Sequence, residues 1–175
     1  MAVKQLILIN GTMGAGKSAV SNQLLRLLAP SVYLDGDWCW NMNPFVANGE
    51  NKAMVLDNIA YLLRSFLSNS GYQYVIFCWV IHQEEIFEEI FSRLEGMEYQ
   101  PVKITLDVSP GALCQRLLGD VRAGVRQEDV IERSLARLPL YEKMDTVHLD
   151  VSRRTPEEAA QWIASFVQEG DGTCG

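Results

Sequence analysis

Apolar residues along the chain gather in short unbroken runs that alternate with longer stretches of helical period. Lys4 to Ile9 is a buried strand, and Gly16 to Leu28 follows as a helix with Val20, Leu24, Leu27 and Leu28 on one face, stopped by Ala29-Pro30. Val32 to Leu34 is a second short strand. Asn51 to Leu67 is a long amphipathic helix with Val55, Ile59, Leu62 and Phe66 on one side, and Gly71 closes the turn after it. Tyr74 to Ile81 is apolar at every position, the pattern of a strand covered on both faces. Gln83 to Leu94 is a helix carrying Ile86, Phe87, Ile90, Phe91 and Leu94.

Val102 to Val108 alternates apolar and polar residues, and Ser109-Pro110 starts a helix with a capping hydroxyl and a proline in its first turn. The polar stretch Gly119 to Gln127 interrupts the helices. Val147 to Leu149 is the last strand. Thr155 to Glu158 is a capping box that opens a helix with Trp162, Ile163, Phe166 and Val167 inward. Strands alternating with helices in this way predict a parallel sheet with helices on both faces, whose ligands bind at the carboxyl ends of the strands.

The length, 175 residues, suits one domain, placed at residues 1–170 with a loose tail over 171–175. No apolar stretch is long enough to span a bilayer, and the first residues lack a signal-peptide pattern, so a cytoplasmic protein is expected. Net charge is −7, which disfavours broad contact with nucleic acid or anionic lipid, so neither is an expected partner. The four cysteines form no C-x-x-C motif and the two histidines lie far apart, which argues against zinc. The subunit is expected to be a monomer or a homodimer.

The chemistry is concentrated at two places. The first is Gly11-x-x-x-x-Gly16-Lys17-Ser18, the Walker A pattern, between an apolar strand and an amphipathic helix. Its glycines turn successive N–H groups toward one anion, and the helix adds its positive end. Gly11, Thr12, Met13, Gly14, Ala15, Gly16, Lys17, Ser18 and Ala19 are therefore the candidate nucleotide cradle. Lys17 reaches the terminal phosphates, and the Ser18 hydroxyl is a magnesium ligand. The second place is Asp35-Gly36-Asp37, where the second strand runs out. In extended geometry both carboxylates share one side, and Trp38 and Trp40 share the other. There the carboxylates hold metal-bound water and take a proton from an attacking hydroxyl, as phosphoryl transfer to an alcohol requires. The alternative is a plain Asp-Gly turn. Cys39 has no base near it in sequence and is read as a bystander.

In "GTMGAGKS" and "LDGD" the chain resembles the P-loop kinases of small molecules. These include shikimate, gluconate and adenylylsulfate kinases, and the branch with chloramphenicol phosphotransferase and tunicamycin-resistance proteins. The cradle is similar to that of shikimate kinase, and LDGD to that of gluconate and adenylylsulfate kinases. The resemblance implies a three-layer α/β/α fold with a five-stranded parallel sheet in the order 2-3-1-4-5 and a small lid at about 119–127. It implies ATP and Mg²⁺, with Asp35 facing the metal and Asp37 the acceptor hydroxyl. It also implies that Arg116 stacks on adenine, that Arg122 or Arg126 touches the transferring phosphate, and that the loop holding Arg153 wraps the base.

Asp35, Asp37, Trp38 and Trp79 are candidate contacts of a small hydroxyl-bearing acceptor. His82, Asn41 and Asn43 stand near the same strand ends. The chain departs from the family where Cys78-Trp79-Val80-Ile81-His82 replaces a glycine triplet after the third strand, and where Trp38 replaces an arginine. The expected activity is ATP-dependent phosphorylation of a small-molecule hydroxyl. The alternatives are a nucleoside or nucleotide kinase, which the scarcity of arginine between residues 36 and 81 disfavours, and a nucleotide-hydrolysing switch module.

Overall fold

In the computed structural model of the protein, which describes residues 3–171, five parallel strands form one sheet in the order β2-β3-β1-β4-β5. They are β1 (Gln5–Asn10), β2 (Ser31–Asp35), β3 (Tyr74–Cys78), β4 (Gln100–Asp107) and β5 (Val147–Asp150). The helices are α1 (Lys17–Leu27), α2 (Gly49–Ser68), α3 (Glu84–Arg93), α4 (Pro110–Arg122), α5 (Asp129–Tyr141) and α6 (Pro156–Asp171). The tail expected over 171–175 lies almost wholly outside the described residues.

Alternate residues of the central strand serve opposite faces. Ile7 and Ile9 join a core with Val20 and Leu24 of α1, Leu113 and Leu117 of α4, and Ile163 of α6. Leu6 and Leu8 join a second core with Val55, Ile59 and Leu63 of α2 and Phe87 and Ile90 of α3. Such two-sided cover is what continuous apolar strands require.

Several local expectations hold, and the exceptions have physical causes. The capping box forms reciprocally. The Thr155 N–H donates to the Glu158 carboxylate at 2.9 Å, and the Glu158 N–H donates to Thr155 Oγ1 at 3.2 Å. Helix α2 starts earlier than its apolar pattern because the Asn48 side chain caps it, accepting the Asn51 N–H at 2.8 Å.

Strand β3 ends at Cys78, not Ile81. Its partners run out there, with Cys78 opposite both Ile9 and Asp35. The apolar residues beyond it turn inward instead, held by the Trp79 N–H on the Ile9 carbonyl (3.2 Å) and the Ile81 N–H on Asn10 Oδ1 (2.8 Å). The polar stretch 119–127 does not interrupt a helix at Gly119. Helix α4 runs on to Arg122 and stops where Gly124 takes φ 71° and donates to the Val121 carbonyl at 3.0 Å. Leu27, expected on the buried face of α1, is 45% exposed, and Phe166 of α6 is 38% exposed, stacked on Trp162. No helix among the described residues is long and apolar enough to cross a membrane.

Candidate active site

At the carboxyl edge of the sheet a cleft of about 450 Å³ opens beside the β1–α1 turn. Residues Met13 to Val20 form its floor. Gly14 has φ 86°, and a Cβ there would lie 2.7 Å from Leu117 Cδ2. A larger residue at 14 therefore has neither the backbone conformation nor the space. Gly16 caps α1 with φ 95°, so the first free N–H groups of that helix open toward the cleft. Lys17 Nζ donates to the Thr12 carbonyl at 3.0 Å. Burial holds its pKa below the ordinary lysine value, and Asp37 and Asp35 pull in the opposite direction.

Gly11 and Thr12 lie beneath this floor and do not line the cleft. The Thr12 side chain is buried and donates to the Ser134 carbonyl of α5 at 3.3 Å.

The two aspartates reach the same cleft by different routes. Asp35 ends β2, and the chain then coils into a short 3₁₀ turn, Gly36–Trp40. Extended geometry does not persist past Asp35, which corrects the picture of two carboxylates on one side of a strand and two tryptophans on the other. Asp35 Oδ1 accepts the Asp37 N–H at 3.0 Å, an Asx-type cap of the turn. The Asp-Gly turn and the paired carboxylates therefore coexist. Asp35 Oδ2 accepts the Ser18 hydroxyl at 2.7 Å and the Tyr33 hydroxyl at 3.0 Å.

The Asp37 carboxyl is held above the ordinary aspartate value. Desolvation of the carboxyl in the cleft is the main cause, although the residue as a whole is exposed, and the neighbouring Asp35 is the second, against Lys17, Arg126 and a hydrogen bond from the Trp79 side chain. Cys78 stands at the end of β3, 3.2 Å from the Tyr33 oxygen and 3.9 Å from Ser18 Oγ, and burial pushes its thiol up to about 11.

The arginines separate into two sets. Arg116 lines the cleft, fixed by donation to the Ala15 carbonyl (3.2 Å) and the Val151 carbonyl (2.5 Å). Arg126 also lines it, paired with Asp120 at 3.0 Å. Arg122 is outside the lining. Beyond β5 it is Arg154 that lines the cleft, beside Val151, Thr155 and Pro156, whereas Arg153 does not. Arg133 is in a surface pair with Asp129 at 3.2 Å.

Trp38 and Trp79 are absent from the lining too. Trp38 is 59% exposed and meets the Tyr33 ring edge-on at 5.3 Å. Trp79 covers the 3₁₀ turn so closely that a Cβ on Gly36 would stand 2.6 Å from its Cγ. His82 keeps Nδ1 buried without a hydrogen-bond partner, and burial first, then Arg137 and Lys52, lower its pKa.

The site residues not anticipated are Tyr33 and Cys78, whereas Asp120 was legible as the acid that offsets the arginine segment and Arg154 as a member of the loop after β5. Tyr33 had a signal, since it lies two before Asp35 on a strand and so shares its face. Cys78 had none without the strand order that sets it opposite Asp35.

Hard oxygen donors at Ser18 and Asp35, beside an anion cradle, suit a magnesium ion better than a soft metal. No cluster of three or more histidine, cysteine, aspartate or glutamate side chains exists among the described residues to hold a metal alone, so the phosphates of a nucleotide would complete such a site.

A family model described as an AAA domain matches residues 7–137. Among curated proteins, none matches the chain significantly. Solved structures are similar over nearly the whole length. A gluconokinase from Sinorhizobium meliloti shares 15% identity, covering 98% of this chain and 96% of its own, with a TM-score of 0.70. The tunicamycin resistance protein of Deinococcus radiodurans shares 20%, covering 94% and 95%, with a TM-score of 0.66. A shikimate kinase from Acinetobacter baumannii, solved with shikimate, shares 19%, covering 97% and 95%, with a TM-score of 0.64. At these identities the likeness establishes the fold, which is that of the P-loop small-molecule kinases.

Proposed function

The chain belongs to the AAA domain family, and from that premise we propose that it is an ATP- and Mg²⁺-dependent phosphotransferase acting on a hydroxyl of a small molecule. The observation that carries this reading is the joining of two chemistries in one cleft. An anion cradle ending in Lys17 and Ser18 lies beside two carboxylates, one tied to Ser18 and the other held above its ordinary pKa.

The N–H groups of residues 13–18 and Lys17 bind the β- and γ-phosphates. Ser18 and Asp35 would hold the magnesium ion, with Asp35 acting through the Ser18 hydroxyl. A bound magnesium ion there supplies positive charge to phosphate oxygens. Asp37 orients the acceptor and takes the hydroxyl proton as the acceptor oxygen bonds to the γ-phosphorus and the bond to ADP breaks. Its raised pKa makes it a better proton acceptor than an ordinary aspartate.

Arg126, released from Asp120, neutralises charge on the transferring group as the segment around 119–127 closes, and exclusion of water then protects ATP from hydrolysis. Arg116 and Arg154 flank the base. Arg126 and Arg154 are favoured over Arg122 and Arg153 because they line the cleft.

The test is ADP release measured against a panel of sugar acids, polyols, cyclic alcohols, nucleosides and hydroxylated antibiotics. One class is expected to stimulate turnover by about 10²-fold or more, and Asp37→Ala to remove the stimulation while ATP still binds. A nucleotide-hydrolysing switch would show the same slow turnover with every compound, and Asp37→Ala would leave it unchanged.

A further inference from the structure

Asp35 and Ser18 have a part in the phosphotransfer chemistry, whereas the buried group behind them has none so far. Tyr33 and Asp35 project to the same face of β2. The Tyr33 hydroxyl donates to Asp35 Oδ2 at 3.0 Å, the oxygen that also accepts Ser18 Oγ at 2.7 Å. Asp35 Oδ1 is occupied by the Asp37 N–H at 3.0 Å. The carboxylate is thus held at both oxygens, and Tyr33 gives it a side-chain donor that is not itself a metal ligand.

Behind Tyr33 stands Cys78, with Sγ 3.2 Å from the tyrosine oxygen. The single phenolic proton is given to Asp35, so the thiol is the donor of the second contact. The order is Cys78 S–H to Tyr33 oxygen, then Tyr33 O–H to Asp35 Oδ2. It crosses from β3 to β2, where Cys78 and Asp35 are register partners. Hydrogen bonds in such a chain strengthen one another in a buried setting.

We propose that Tyr33, supported by Cys78, is a positioning residue for metal-dependent nucleotide binding, fixing the Asp35 carboxylate and through it the Ser18 hydroxyl. This inference rests on the phosphotransfer reading. The ring of Tyr33 then belongs to the fold, and its hydroxyl belongs to the metal response.

The experiment is calorimetric titration of ATP at graded Mg²⁺, and in EDTA, for the wild type and for Tyr33→Phe, Cys78→Ser and Cys78→Ala. Tyr33→Phe keeps the ring and is expected to raise the half-saturating Mg²⁺ about tenfold, the lower end of the effect of outer-shell changes on metal affinity. ATP binding in EDTA should not change. Cys78→Ser restores a donor and should follow the wild type, and Cys78→Ala should fall between it and Tyr33→Phe.

Magnesium curves for Tyr33→Phe and Cys78→Ala that superpose on the wild type overturn the inference. So does an equal loss with and without the metal, which a general disruption would give. Should Tyr33→Phe fail to fold, Cys78→Ala alone decides in the same way. Wild-type protein that binds ATP no more tightly with Mg²⁺ than in EDTA also overturns this inference, whereas failure of every acceptor to stimulate ADP release overturns the phosphotransfer reading itself, a distinguishable result.

Discussion

The floor of the cleft and the surface beyond Asp37 are made of different material. The floor is mainly backbone, and it is fixed at several points. Gly14 packs against Leu117, the Thr12 side chain is tied to the Ser134 carbonyl, and Arg116 joins the Ala15 and Val151 carbonyls. The surface beyond Asp37 is made of side chains and is open. Trp38 is largely exposed, Trp40 meets an exposed Phe45 at 5.6 Å, and residues 43–50 have little cover. The contrast has a chemical origin. The triphosphate is the same in every nucleoside triphosphate and is well served by N–H groups on a rigid turn. An acceptor varies from one kinase to the next, and its recognition lies in side chains that no common pattern constrains.

The largest expected effect tests the floor. Lys17→Met should lower turnover by about 10³-fold, as loss of a preorganised charge at a reacting phosphate does, and should weaken MgATP binding in calorimetry. A variant that turns over normally would remove the reason for reading the floor as a phosphate site.

Asp37→Asn comes next, with turnover reduced by about 10²-fold at neutral pH, a gap that narrows as falling pH protonates the wild-type carboxyl, and nucleotide affinity unchanged. Folding is expected to respond in the opposite direction. The raised pKa means that the folded state favours the protonated carboxyl. The stability this gives is complete below the ordinary aspartate range and is lost as pH rises through the raised value. At pH 7 the ionised group is therefore a cost, and Asp37→Asn should melt higher than wild type. The gap should close as pH falls toward about 4, the ordinary aspartate range, which melting curves from there up to neutral pH will show.

The smallest effect lies at the junction of the two regions. Gly36→Ala drives a methyl toward the Trp79 ring, at a cost of about 1–3 kcal/mol in chemical denaturation, typical of overpacking. Displacing Trp79 also disturbs its contact with Asp37, so acceptor-stimulated turnover should drop about tenfold while the affinity for ATP is retained.

The same contrast governs how far the sequence could be read. The alternation of apolar runs with helical period made the parallel sheet legible, since strands buried on both faces belong almost only to sheets with helices on each side. The turn at 11–18 was legible because each glycine and the lysine has a separate job. What failed was information carried between distant segments. The end of β3 at Cys78 depends on where β1 and β2 stop, and a run of apolar letters through Ile81 does not reveal it.

Arg153 and Arg154 are adjacent and alike in type, and only the path of the chain after β5 brings the second to the cleft. Gly119 resembled a helix stop, but helix α4 passes through it because Gly124 provides the positive φ that ends the helix. Leu27 and Phe166 fit the apolar stripe of their helices, but neither meets a neighbouring element that covers it.

The two tethers on the cradle, Arg116 on one side and Thr12 to Ser134 on the other, set the mechanics of the molecule. The chain between Arg116 and Ser134 is an arch standing on two fixed feet, both resting on the β1–α1 turn. The Arg126–Asp120 pair lies between those feet, so its two partners belong to one span anchored at both ends to the cradle.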